Sequence, residues 1–186
     1  MVTATVSSTS GVPAGSVAIS GAGATCNVTL AAGTGTCNLA PTFVGAAQTI
    51  TGNYGGNGPH GPSAGTTTLT VKSTLDVDDN GASLSDSDGV IALRYMVGMS
   101  GAALTNNVTL GAGAQRTNPT DINNYLVQVR PLLDIDGDNT VNPTTDGLLI
   151  MRYLLGLRGS ALVQGVVAPG AARTQAVDIE HYIEGL

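Results

Sequence analysis

The sequence predicts a multidomain chain of α and β parts. An all-β sandwich-type domain spans residues 1–73, and an all-α, internally duplicated domain spans residues 74–186. Three observations predict this. Residues 1–73 are rich in Thr, Val and Gly, contain no Asp or Glu, and carry one lysine, Lys72. All 13 acidic residues lie from Asp76 onward, nine of them in two short stretches: Asp76, Asp78, Asp79, Asp86, Asp88, Asp134, Asp136, Asp138 and Asp146. Finally, LDVDDNGASLSDSDGVIALRYMVG at 75–98 returns as LDIDGDNTVNPTTDGLLIMRYLLG at 133–156, a constant offset of 58.

The first domain is read as six short strands: Val2–Ser7, Gly15–Ser20, Thr25–Leu30, Gly35–Leu39, Gln48–Tyr54 and Thr66–Lys72. Each is Thr/Val-rich and bounded by Gly, Pro or Ser clusters, the usual punctuation of a sandwich. Val17 and Ile19 alternate with small polar residues, and so do Ile50 and Tyr54, and Leu69 and Val71. One face is therefore buried and the other wet. With 3% aromatic residues and no Trp, the core must be aliphatic. Cys26 and Cys37 flank the Gly-rich turn AAGTG, each in a strand-like run, which predicts a cross-strand disulfide and a compartment outside the cytoplasm.

GVPAGSVAIS, the cysteine pair around AAGTGT, TITGNYGGNG and the closing SAGTTTLTV together resemble the bacterial immunoglobulin-like repeat domains of surface proteins. The resemblance covers nearly all of residues 1–73. It implies an immunoglobulin-like β-sandwich whose first strand is missing, since such domains begin one strand before Val2. An incomplete sandwich exposes unpaired backbone, an association site unless covered. A strand inserted by a neighbouring subunit is one way to cover it, with Val2–Ser7 as the expected acceptor edge. No leader is visible before the strand-like VTATV, so secretion would require chain upstream of Met1.

The second domain is read as two repeats, 75–131 and 133–186. The match continues beyond the acidic stretches: RTNPTDINNYL faces RTQAVDIEHYI after a one-residue deletion. Each repeat is expected to run loop, helix, irregular connection, helix. Ser87 and Thr145 are expected to cap the first helices, with Asp88 and Asp146 in the first turn. Second helices are expected near Thr117 and Thr174, with Pro119 early in the first of them.

Alternating carboxylates gather hard oxygens around one point when the backbone loops tightly. Ca²⁺ takes six to eight such oxygens. In an EF-hand-type loop, side chains at positions 1, 3 and 5, a carbonyl at 7 and a late carboxylate form the sphere. These are Asp76, Asp78, Asn80, Ala82 and Asp88 in the first copy. In the second they are Asp134, Asp136, Asp138, Thr140 and Asp146. Two calcium ions are therefore expected, the second site binding more tightly because Asp138 stands where the first has neutral Asn80. Gly81 and Asn139 suit the sharp turn at position 6. Each loop is one residue longer than the usual 12.

DIDGDNTVNPTTDGLLIMRYLLG resembles the calcium unit of the dockerin family of bacterial extracellular proteins. That resemblance implies an all-α dockerin-like domain folded by calcium, and a cohesin-like protein as a possible partner class. The longer loop, the additional helix of each repeat and the absence of recognisable paired recognition residues depart from the family.

Other chemistry is excluded or weak. No basic face exists for nucleic acid, and no apolar run is long enough for a membrane span. Two Cys with distant His60 and His181 give no zinc spacing. Nothing resembles a nucleophile–His–acid set or a phosphate loop. Arg94, Arg152, Tyr95 and Tyr153 are read as helix packing. The expectation is a non-enzymatic, extracellular or bacterial cell-surface calcium protein with a structural or adhesive role. Its protein partner is expected to be copies of itself in a fibre, or alternatively a cohesin-like domain.

Overall fold

In a computed structural model that describes Met1–Leu186, the Thr/Val-rich runs form six strands. These are β1 (Val2–Thr5), β2 (Gly15–Gly21), β3 (Ala24–Leu30), β4 (Thr34–Cys37), β5 (Gly45–Tyr54) and β6 (Ser63–Val71). β1 and β4 pair antiparallel as a two-stranded sheet, and the other four form an antiparallel sheet in the order β3-β2-β5-β6. The period-2 pattern sets the face: Val17, Ile19, Val28, Leu30, Ile50 and Tyr54 are buried between polar neighbours. Tyr54 is the one large aromatic of this core, and its hydroxyl donates to the Ala14 carbonyl at 2.8 Å.

The chain leaves β3 through a tight turn, Ala31–Thr34, and enters the other sheet. The two strands pass closely at Gly35, where a Cβ would meet Val28 Cγ1 at 2.7 Å. The Cys26–Cys37 disulfide therefore links β3 of one sheet to β4 of the other, with Cα atoms 6.1 Å apart. The bond ties the two layers together rather than bridging neighbours in one hairpin.

The chain separates into two units, Met1–Val71 and Lys72–Leu186. The second holds six short helices: α1 (Val90–Met96), α2 (Ala102–Thr105), α3 (Pro119–Val129), α4 (Leu148–Leu154), α5 (Ser160–Val163) and α6 (Ala176–Glu184). Ile91, Leu104, Ile122, Leu126, Leu133, Ile135, Leu149, Ile150, Leu162 and Ile179 are almost fully buried, giving the aliphatic core the composition requires. Arg94 and Arg152 are structural. Arg94 donates to the carbonyls of Leu104 and Asn106, and Arg152 to those of Leu162 and Gln164, capping α2 and α5.

The two repeats are locked by a reciprocal contact. A Cβ on Gly89 would lie 2.7 Å from Met151 Sδ and 3.1 Å from Leu154 Cδ1. One on Gly147 would lie 2.7 Å from Leu93 Cδ1 and 3.2 Å from Met96 Sδ. Gly89 and Gly147, Leu93 and Met151, and Met96 and Leu154 are equivalent positions, so the contact has local two-fold character. Glycine is needed at this close approach for lack of space, since neither residue has a positive φ.

Several expectations are corrected. The predicted fold class, an immunoglobulin-like β-sandwich followed by an all-α dockerin-like domain, does not stand. The chain is a mixed α and β protein with two antiparallel sheets and six short helices. The strands divide two against four, because β4 ends after four residues and only β1 accompanies it. That narrow second layer does not establish an immunoglobulin-like sandwich. The helices are four to eleven residues long, with an extra helical turn in each connection expected to be irregular. These short helices do not by themselves establish a dockerin-like domain. The caps also move. Each first helix is entered through a wide π-type turn, Ser85–Gly89 or Pro143–Gly147, closed by bonds from Gly89 N to Leu84 O and from Gly147 N to Asn142 O. Leu84 and Asn142 are the caps, and Ser87 and Thr145 lie inside the turn.

Candidate metal centres

The wide turns place the acids. Asp88 enters the first turn three residues later than an ordinary cap would put it, and its carboxylate points back into the preceding loop. Its Oδ1 accepts from Val77 N (2.7 Å) and Asp78 N (3.0 Å), and its Oδ2 from Leu84 N (2.8 Å) and the Ser87 hydroxyl (3.1 Å). Asp146 repeats this. Its Oδ1 accepts from Ile135 N (2.6 Å) and Asp136 N (3.2 Å), and its Oδ2 from Asn142 N (2.8 Å) and the Thr145 hydroxyl (3.2 Å). One late carboxylate thus holds both ends of each loop.

The early acids wind the loop around themselves. Asp76 accepts from Asn80 N and Gly81 N, and Asp134 accepts from Gly137 N, Asp138 N and Asn139 N. Asp78 Oδ1 accepts from Asn80 N, and Asp136 Oδ1 from Asp138 N, both at 3.2 Å. The winding needs left-handed backbone at two positions per loop. Asp79 (φ 59°) and Gly81 (φ 91°) supply it in the first, Gly137 (φ 75°) and Asn139 (φ 69°) in the second. Gly, Asn and Asp are the residues that adopt this region at least cost.

Oxygen atoms of Asp76, Asp78 and Asp88 lie within 4.8 Å of one another, and those of Asp134, Asp136 and Asp138 do the same. Each cluster could hold a metal ion. The composition of the two clusters differs. Asp146 belongs to the second loop's hydrogen-bond frame, while Asp138 completes its acid cluster. In the first loop Asn80 stands at the place of Asp138, and its Oδ1 accepts from Ala82 N at 2.7 Å. Asp138 Oδ1 likewise accepts from Thr140 N at 2.7 Å. Ala82 and Thr140, expected to offer carbonyls, are exposed residues.

Burial makes these charges costly. Asp78, Asp88, Asp136 and Asp146 are fully enclosed, and Asp76 nearly so. Desolvation pushes the Asp88 carboxyl above its ordinary value, opposed by the N–H groups of Leu84 and Asp78. Asp146 is pushed up for the same reason, opposed by Asn142, Asp136 and Ile135 N–H groups. No basic side chain forms a salt bridge with either cluster. The one salt bridge joins Lys72 to Asp79.

Sequence reading missed a second layer around each loop, contributed by the far end of each repeat. Asp78 Oδ2 accepts from Gly111 N at 2.6 Å, and Asp136 Oδ2 from Ala168 N at 2.8 Å. The Asp78 carbonyl accepts from Arg116 N, and the Asp136 carbonyl from Arg173 N. Each guanidinium then reaches loop carbonyls: Arg116 those of Asp76 and Val77, Arg173 those of Asp134 and Ile135. Each also stacks on a tyrosine, Arg116 over Tyr125 and Arg173 over Tyr182, both 3.8 Å from the ring centre. The tyrosine hydroxyls anchor the preceding turn by donating to Thr74 O and Leu132 O. The signal was present in the matching Arg and Tyr positions of the repeats, but spacing alone did not connect them to the loops.

The late-carboxylate, arginine and tyrosine contacts recur in both repeats, so each half of the unit builds a similar acid-lined loop. No protein-family model matches the chain, and no curated protein or solved structure shows significant similarity to it; what it is must be argued from these two loops and the sheets before them.

Proposed function

We propose that this chain is a non-enzymatic, extracellular or cell-surface structural protein, stabilised by one Ca²⁺ in each acidic loop and associating with copies of itself. One observation carries the calcium reading: two carboxylate clusters, the first buried and the second partly buried, form no salt bridge. A buried charge left unpaired costs several kcal/mol. A divalent cation removes that cost. The donors are all oxygen, which suits Ca²⁺ and not zinc, whose usual thiolate and imidazole ligands are absent here. Flexible, many-oxygen loops favour Ca²⁺ over Mg²⁺, which keeps several waters and demands a strict octahedron.

The structural role is supported by what the loops do in the fold. Their acids are engaged by backbone N–H groups from three segments of each repeat, leaving them placed to hold the unit together. The disulfide adds covalent support of the kind found outside the cytoplasm. Isothermal calorimetry on the metal-free protein tests the proposal. Two Ca²⁺ per chain are expected, the site of Asp134, Asp136 and Asp138 filling first. No heat of binding, or tighter binding of Mg²⁺, overturns it.

A further inference from the structure

The first unit leaves part of its core face uncovered. The β5–β6 register sets Ser63 opposite Tyr54, Gly65 opposite Gly52 and Thr67 opposite Ile50, so these β6 residues share the face of the buried Ile50 and Tyr54. Yet Ser63, Gly65 and Thr67 are exposed, because the two-stranded sheet does not reach over them. Between β1 and β6 lies a groove of about 280 Å³, floored by Val17, Ile19, Ile50 and Tyr54.

Both walls of the groove are open strand edges. β1 pairs only with β4, and β6 only with β5. Val6 N–H donates to Gly33 O on the β4 side. Backbone groups alternate along an antiparallel strand, so Val2 and Ala4 also face β4 while Thr3 and Thr5 aim theirs at the groove. Neither edge carries a charge, the commonest device against strand addition.

We infer that the groove is filled by β6 of a second copy of this chain, which pairs with β1. This rests on the reading of the protein as self-associating. The strand count selects the partner. A layer of two strands faces a layer of four, so each copy lacks in one layer what the other presents. With a two-fold axis between the layers, β6 of each copy lies beside β1 of the other. Both layers then become continuous six-stranded sheets in the order β4-β1-β6-β5-β2-β3, with the boundary between copies falling between β1 and β6. Both open edges are paired at once, and the exposed inner face of β6 is covered by the partner's β5 and β6. The interface is isologous and closed, as in most homodimers. Charge favours it as well: residues 1–71 contain no Asp, Glu, Lys or Arg, so two such units meet without like-charge repulsion.

Sedimentation equilibrium of the full chain in Ca²⁺ tests this. The wild type is expected at twice the 18.5 kDa chain mass. Thr67→Asp puts a charge on the inner face and should give monomer, while Thr68→Asp, on the outer face of the same strand, should leave the dimer intact. Thr5→Pro removes a groove-facing N–H and leaves the β1–β4 backbone bonds in place, at the loss of the exposed Thr5–Thr34 hydroxyl contact, and should also give monomer. A dimer that survives both Thr67→Asp and Thr5→Pro overturns the groove assignment and leaves self-association standing. A wild-type monomer overturns both. Species that grow without limit with concentration overturn the closed pairing.

Discussion

At the scale of the residue, the paired aspartates Asp88 and Asp146 do the most. Each is buried, and each gathers N–H groups from both ends of its loop. Burial raises both carboxyl pKa values above the unfolded value of 3.8. The sign of the consequence depends on the metal. Without metal, the folded state holds more protons than the unfolded state between 3.8 and the raised value. These groups' contribution to stability is then present at lower pH and lost as pH rises through that window. Calcium must displace the same protons, so its affinity should fall on acidification through that window. Melting of the dialysed metal-free protein, and calorimetric titration of Ca²⁺ from about pH 4 to about pH 7, should show these opposite trends. Asp146→Asn retains the shape but removes the charge. It should weaken the second site roughly 10–100-fold, the range for losing a group that orients metal ligands, and affect the first site far less, only through the coupling between the loops. Calorimetry resolves the two sites.

The early acids Asp76, Asp78, Asp134, Asp136 and Asp138 were visible in the sequence because a carboxylate every second position has few uses other than gathering oxygens, and Asp88 and Asp146 were visible as their repeated late partners. Arg116 and Arg173 were less visible. They act on backbone carbonyls about forty positions away, and nothing in their local spacing says so.

At the scale of the element, the strands were legible because period-2 alternation and Gly/Pro punctuation are local. Four of the six strands match their expected runs closely; β5 and β6 each start three residues earlier than expected, at Gly45 and Ser63, where the N-terminal residues lack an apolar pattern. The entries to the first helices were misread for a related reason. Ser87 and Thr145 have the chemistry of caps, but the wide turn adds a residue to the first loop of the ladder and moves the cap to Leu84 or Asn142. A hydroxyl inside the turn then serves its neighbouring aspartate instead. The disulfide was predicted from its flanking strands, whereas its place between the two sheets depended on where β4 pairs. A loop of this size contributes about 3 kcal/mol by restricting the unfolded chain. Replacing Cys26 and Cys37 by Ser should lower the stability of the first unit by about that amount, measured by urea unfolding against the wild type, with calcium binding unchanged.

At the scale of the whole molecule, the duplication was legible and the fold class was not. Repeats are read from sequence against itself, so the offset of 58 needed no outside reference. The fold class rested on resemblance, and resemblance did not reveal that the first unit would divide its strands two against four. Removing metal should separate the behaviour of the two units. The apolar helices of the second unit pack around loops whose carboxylates repel one another without a cation, so metal binding is expected to be coupled to folding there. Chelation should lower the helical circular dichroism and the melting temperature of the second unit. The strand unit, which has no acidic residues, should melt as before. An unchanged helical signal and melting curve in chelator would count against this coupling.

The close fit of Gly89 against Met151 and Leu154, mirrored by Gly147 against Leu93 and Met96, has a thermodynamic consequence. Each glycine directly follows a loop aspartate, Asp88 or Asp146, so fixing one loop fixes the surface on which the other repeat's helix rests. On the proposed reading, the first ion to enter should bear part of the ordering cost of the other loop. The two affinities should then be linked by a single free energy, the same whichever site fills first. Widening that contact, by Gly89→Val for instance, should leave each loop its ligands while making the two ions bind independently.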